Sequence, residues 1–121
     1  MRQFDHEKLA VYQRSIAFAA WAEDVLVTLP KSLAAHGQLD RASTSPPLNI
    51  AERNGKHTPA DRCRYFDIAR GSALESAACL DVLVAKRRLE AASAAEGKGM
   101  LVDIVSMLVG LIRANSEDRE V

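Results

Sequence analysis

Few side chains in this 121-residue chain could do chemistry, and their spacing decides what kind. His6, His36 and His57 stand far apart. None belongs to an HExxH helix or pairs with a cysteine at ligand spacing, so no metal site is expected. Cys63 and Cys79 fall sixteen positions apart in one expected helix. At 1.5 Å per residue that is roughly 24 Å, beyond disulfide reach. Arg62 and Arg64 flank Cys63, yet there is no CxxC pair, and both thiols read as inert and half-buried. Gly71-Ser72 is not a nucleophile elbow, because GxSxG and its strand–turn–helix frame are missing. Such a pair inside a helix instead permits close helix contact. With no glycine-rich phosphate loop either, the expectation is of no catalytic residue, no cofactor and no metal, hence not an enzyme.

Charge is the next candidate for function. Sixteen basic and sixteen acidic side chains cancel to a formal net charge of zero. Neutrality argues against a dedicated nucleic-acid binder and weakens the self-repulsion that opposes association. The cancellation is uneven. Residues 41–88 hold nine basic and five acidic groups, net +4; residues 89–121 hold three and six, net −3; residues 1–40 hold four and five, net −1. The excess gathers as Arg53, Lys56, Arg62 and Arg64, with His57, around the turn between the second and third helices. Lys86, Arg87 and Arg88 form a second patch at the far end of the third helix. Repeated in an oligomer, such patches would suit the phosphates of RNA or single-stranded DNA. They equally suit a solvated face whose cations meet the negative end of a helix dipole. Three Phe, two Tyr and one Trp supply no stacking platform among these basic residues.

Positioning these groups requires helices. The chain is 48% apolar, enough for the core of one domain over residues 1–121, and it is rich in Ala, Leu, Glu and Arg. The N-terminal window is charged throughout, so no secretory core is expected. The longest apolar run, Met100 to Ile112, is broken by Asp103, Ser106 and Gly110 and is shorter than the roughly twenty residues of a membrane span. Free thiols without an export signal lead to the expectation of a cytoplasmic chain. Helices are expected at about 5–29, 31–53, 58–88 and 94–115. Asp5 is the expected cap of the first and Pro30 its stop. Val11, Ser15, Phe18, Ala22, Val25 and Leu29 form its buried stripe, widened by Leu9, Ile16, Ala20 and Val27. The second contains Pro46 and Pro47, which remove two backbone donors. It is expected to be bent or broken, with Ser45 able to cap a restarted half and Asn54-Gly55 ending it. Thr58-Pro59-Ala60-Asp61 opens the third. Its seam runs through Phe66, Ala69, Ala73, Ala77, Leu80, Val84 and Arg87. Ser93 and Glu96 have capping-box spacing and open the fourth.

The fourth helix is apolar on more than one side. Leu101, Ile104, Leu108, Leu111 and Ile112 make one stripe, while Met100, Val102, Met107 and Val109 lie off it. One bundle covers a stripe of each helix, not its circumference. Those four residues are therefore candidates for a subunit interface.

Two longer segments carry a resemblance. Gln38-Leu39-Asp40-Arg41-Ala42-Ser43-Thr44-Ser45-Pro46-Pro47-Leu48-Asn49-Ile50-Ala51-Glu52 is similar to QLxRAxxSxPxNIAE. Tyr65-Phe66-Asp67-Ile68-Ala69-Arg70-Gly71-Ser72-Ala73-Leu74-Glu75 is similar to rFxxIArGSxxE. Both, with the opening FDHEKLAVYQRSIAFA, resemble the bacterial four-helix-bundle proteins encoded in 23S ribosomal RNA intervening sequences. The resemblance covers roughly residues 4–112. It implies an all-α, antiparallel up-and-down four-helix bundle that assembles as a ring-shaped homopentamer of mostly unassigned role. A related branch, the accessory variability determinants of diversity-generating retroelements, binds nucleic acid and a reverse transcriptase. This chain departs from the pattern at Arg53, where the family run ends in glycine, and at Pro46, where an aliphatic residue is usual.

Asn49, Glu52, Arg70, Ser72 and Glu75 fall within those motifs, on helices expected to pack antiparallel. Catalysis by the carboxylates of Glu52 and Glu75 requires both to face one cleft within about 10 Å. The simpler expectation is a hydrogen-bonded structural network that satisfies the backbone freed by the prolines and sets register. Two functional classes follow: a non-enzymatic homo-oligomeric scaffold or interaction module, and a nucleic-acid-associated factor using the basic patches.

Overall fold

The computed structural model describes residues 2–53 and 58–116, and within them the protein is built from helices with no strand. A short 3-10 turn, Asp5–Lys8, precedes α1 (Ala10–Leu26), α2 (Ala34–Glu52), α3 (Pro59–Ala85) and α4 (Ala91–Ser116). Each helix packs on its neighbours in sequence, and α1 closes onto α4, so α2 lies diagonal to α4 and α1 to α3. The cross-contacts run antiparallel. Arg14 meets Asp103 at 3.0 Å while Trp21 meets Glu96, and Cys63 near the start of α3 meets Ile112 near the end of α4. No helix among the described residues is long and apolar enough to cross a membrane.

The stripe expected on α1 is buried in full, from Val11 through Phe18 to Leu29. It meets Leu39 and Ile50 of α2, Phe66, Leu80 and Leu83 of α3, and Leu101, Ile104 and Leu108 of α4. Each such side chain contributes about 1.5–3 kcal/mol by leaving water. The widening residues Ile16, Ala20 and Val27 are exposed, because one helix face is all a four-helix core covers.

Helix ends correct several expectations. Asp5 lies in the 3-10 turn, and α1 is capped by the extended Leu9 without a side-chain bond. It stops at Leu26, three residues short of Leu29, where Thr28 Oγ1 donates to Val25 O at 2.7 Å. α2 is not broken. Its helical pattern continues through the buried Pro46 and Pro47, and Ser45 lies inside it rather than capping a second half. The Asn54-Gly55 stop lies outside the described residues. Thr58 caps α3 as expected, its hydroxyl accepting from Asp61 N at 3.1 Å with Pro59 at the first helical position. Ser93 is already inside α4, which begins at Ala91; Glu96, freed from a capping box, accepts from the Trp21 indole instead.

α3 ends in a Schellman motif. Arg88 N donates to Leu83 O at 2.8 Å and Arg87 N to Val84 O at 3.0 Å. Arg87, expected on the seam, lies past the helix end with φ of 62°, a conformation usually left to glycine.

Candidate functional site

The motif residues of α2 and α3 meet along one line. Asn49 Nδ2 donates to Ser45 O and to Ser45 Oγ, both at 2.9 Å. The Ser72 hydroxyl crosses from α3 to donate to Ser45 Oγ at 2.7 Å, and Ser76, buried one turn on, donates to Ser72 O at 2.9 Å. Of the expected network this line holds Asn49 and Ser72. Ser45 and Ser76 complete it, and their i, i+4 spacing from Asn49 and Ser72 was the signal that could have found them. Asn49 ends on Ser45, not on the Ala42 and Ser43 carbonyls that the prolines leave without donors. Outside the line lies a shallow groove of about 450 Å³ bounded by Asp40, Arg41, Thr44, Leu48 and Asn49.

The other members of that set are elsewhere. Arg70 points to Asp67, 3.9 Å away on its own helix, and Glu75 is exposed. Glu52 stands in the last turn of α2. From the level where Ser45 meets Ser72, Glu52 is seven residues one way and Glu75 three residues the other way. The carboxylates are therefore about 15 Å apart along the bundle at 1.5 Å per residue, and they share no cleft. Among the described residues no group of His, Cys, Asp and Glu is arranged to hold a metal.

The basic residues form two separate patches. At one end of the bundle Arg53 closes α2 and lays its guanidinium over the buried Phe66 ring, 5.3 Å from the centroid. Its Nε is buried without a hydrogen-bond partner among the described residues. Burial, and then the neighbouring Arg62, push its pKa below the ordinary arginine value, partly offset by Asp5. Arg64 lies over Tyr65 at 5.1 Å and donates to its hydroxyl at 3.4 Å. Tyr65 and Phe66 thus do sit among the basic residues, as partners of arginines rather than as an open platform. Lys56 lies outside the described residues. Lys86, Arg87 and Arg88 are exposed at the opposite end. Arg62 and Lys86 are twenty-four positions apart along α3, about 36 Å, so the chain does not join the patches into one site.

The thiols are sheltered. Cys63 is buried and its Sγ lies 3.6 Å from Ile112 O. Burial, then the Glu75 charge, raises the Cys79 pKa above the ordinary thiol range. Of the four interface candidates, Met100 and Met107 pack against the core of the same chain. Val109 is half-buried, and Val102 is 63% exposed. Gly71 is exposed with nothing within 4 Å of an added Cβ, so the close helix contact expected there is not made.

Four antiparallel helices closed around one apolar core, with a serine–asparagine line between the second and third, define an all-α four-helix-bundle protein. Residues 7–110 match the family described as 23S rRNA-intervening sequence protein, and the chain belongs to it. A crystal structure of a protein of unknown function from the S23 ribosomal protein family of Bacteroides thetaiotaomicron has the same fold, with a TM-score of 0.80 at 23% identity. That alignment covers 85% of this chain and 98% of the other. Among curated proteins nothing matches the chain.

Proposed function

We propose that this protein is a non-enzymatic cytoplasmic scaffold or interaction module that works as a homo-oligomer. The observation that carries the reading is a set of aliphatic side chains that one bundle leaves in water, with Leu48 on α2, Leu74 on α3 and Val102 on α4 all more than half exposed. Zero net charge removes the electrostatic obstacle to self-association. A ring-shaped pentamer is the assembly that the family resemblance implies. A bend of α2 at Pro46 and Pro47 belongs to the same reading, since each proline ring crowds the carbonyl four residues before it. Light scattering of the purified protein tests the assembly. The expected mass is five times the 13.2 kDa chain, and a single-chain mass overturns the reading.

A second reading, association with RNA or single-stranded DNA, draws on the basic residues gathered at the two ends of the bundle, Arg53, Arg62 and Arg64 at one and Lys86, Arg87 and Arg88 at the other. The family's name points the same way, toward ribosomal RNA. Fluorescence anisotropy with labelled RNA and single-stranded DNA at two salt concentrations tests it. Binding that weakens steeply with salt and is lost in an Arg62→Glu, Arg64→Glu or a Lys86–Arg88 charge reversal supports it. No binding at low salt overturns it.

A further inference from the structure

Among the described residues one aromatic ring stands open to water. Phe18 and Phe66 are buried, Trp21 lies on Gly97, Tyr65 carries the Arg64 guanidinium, and Tyr12 packs against the core. Phe4, by contrast, is 72% exposed. It is not a loose end. Its carbonyl accepts from Glu7 N at 3.1 Å to start the 3-10 turn, and Gln13 of α1 ties that turn down by donating to Glu7 O at 2.9 Å. The His6 ring lies parallel to Phe4, with 5.8 Å between centroids and 7° between planes, and meets Tyr12 edge-on at 4.7 Å. Phe4 is thus the outer member of a three-ring cluster rooted in the bundle, and His6 covers at most one of its faces.

The turn packs on α1 and on α2, with Asp5 close enough to Arg53 for its charge to bear on the guanidinium. Arg53 closes α2, and α3 opens with Arg62 and Arg64 in its first two turns. Forty-nine positions separate Phe4 from Arg53 in the sequence, which is why no stacking platform beside the arginines is visible there. Asp5 and Glu7 make the turn itself acidic, and Lys8 lies 4.0 Å from Asp5. A phosphate therefore finds its cations on the helix ends, while the open ring is on the turn. Ring and cations stand on separate elements at one end of the bundle, as a base and its phosphates do along a strand.

We infer that this end of the bundle takes an unpaired base of a single-stranded nucleic acid, the base stacking on Phe4 and the flanking phosphates meeting Arg53, Arg62 and Arg64. Stacking on a protein ring needs a base whose face is free. In a duplex each face is covered by the next pair, whereas a single strand turns its bases out. Every base has such a face, so the contact selects strand type and not sequence. The inference rests on the nucleic-acid reading above, and it names the stacking residue and the strand type for that reading.

Fluorescence anisotropy of the full chain with a short labelled RNA, alone and annealed to its complement, tests it over a range of salt concentrations. The wild type is expected to bind the single strand more tightly than the duplex. Phe4→Ala and Phe4→Leu are expected to weaken the single strand by about five-fold or more, the low end of base–aromatic stacking. Their salt dependence is expected to match the wild type, because no phosphate contact is removed. Phe4→Trp is expected to keep the affinity. Arg64→Gln is expected to lower the slope of log affinity against log salt by about 0.7, one phosphate of a single strand. No binding of strand or duplex at low salt overturns the nucleic-acid reading, and this site falls with it. Binding that is equal for strand and duplex, or indifferent to Phe4→Ala, or unchanged in salt slope by Arg64→Gln, overturns this site alone. Phe4→Leu binding like the wild type does the same, since it keeps the apolar bulk without a ring. Far-UV circular dichroism checks helix content, and Phe4→Leu decides should Phe4→Ala lose any.

Discussion

The indole of Trp21 lies on the backbone of Gly97, where a Cβ would overlap three of its ring carbons. This contact holds α1 against the start of α4, and the ring is fixed by its Nε1–H donating to Glu96 Oε1 at 2.7 Å and by stacking on Phe18. Gly97→Ala therefore forces the ring outward and breaks the Glu96 bond. We expect a destabilisation of about 1–3 kcal/mol, the usual range for overpacking. Urea unfolding measures the loss. The chain's one tryptophan reports it independently, as a red shift of emission when the ring enters water.

Ser45 and Ser72 join α2 to α3 by a single 2.7 Å hydroxyl bond that also receives Asn49. Ser72→Ala leaves Ser45 with its Asn49 partner, whereas Ser45→Ala takes the acceptor from Ser72 and leaves Asn49 only the Ser45 carbonyl. We expect losses of about 1 kcal/mol for Ser72→Ala and somewhat more for Ser45→Ala. The double substitution is expected to fall short of their sum by about 0.5–1 kcal/mol, since the residues share one bond. Additive losses in a double-mutant cycle would show that the bond contributes nothing to the α2–α3 contact.

Arg87 takes the left-handed position of the α3 Schellman motif, at φ of 62°. A side chain in this conformation is strained by roughly 1–2 kcal/mol, and glycine is not. Arg87→Gly is therefore expected to raise stability by about 0.5–1 kcal/mol with the urea m-value unchanged. Arg87→Ala, which keeps the Cβ, is expected to leave stability close to the wild type. An equal gain in both variants would assign the effect to removal of the charge beside Lys86 and Arg88.

How much of this was legible before the structure depends on the kind of signal. The α1 stripe and the Thr58 cap of α3 follow from local chemistry, periodic burial and a hydroxyl three residues before an amide, and both are in place. Features decided by tertiary contact were read less well. Two prolines forbid two hydrogen bonds, yet burial of both rings keeps α2 continuous. Ser93 and Glu96 have the spacing of a capping box, but the Trp21 indole competes for Glu96. Gly71 beside Ser72 looks like a packing glycine, whereas Gly97, which nothing local distinguishes, is the one under a ring. In the candidate site, motif membership singled out Asn49 and Ser72. It equally singled out Glu52 and Glu75, which the antiparallel register places at different levels of the bundle.

The raised Cys79 pKa makes a pH-dependent prediction, with burial the larger cause and the exposed Glu75 carboxylate the smaller. A thiol whose pKa is higher in the folded than in the unfolded state stays neutral longer when folded. Its contribution to stability is thus complete below the ordinary thiol range and is lost as pH rises through the folded value. The protein is expected to lose stability above about pH 8.5, where unfolded thiols ionise, and Cys79→Ala is expected to flatten that decline after its own packing cost. Iodoacetamide labelling reads the same group directly. The thiolate is the reactive form, so folded Cys79 is expected to label far more slowly than in urea and to speed up with pH later than a free thiol does. Glu75→Gln removes the smaller cause and is expected to raise the folded labelling rate by about two-fold at fixed pH, a modest factor because that carboxylate faces water. A rate that is unchanged by Glu75→Gln and already fast at pH 7.5 would mean that Cys79 is reached by solvent in the native bundle.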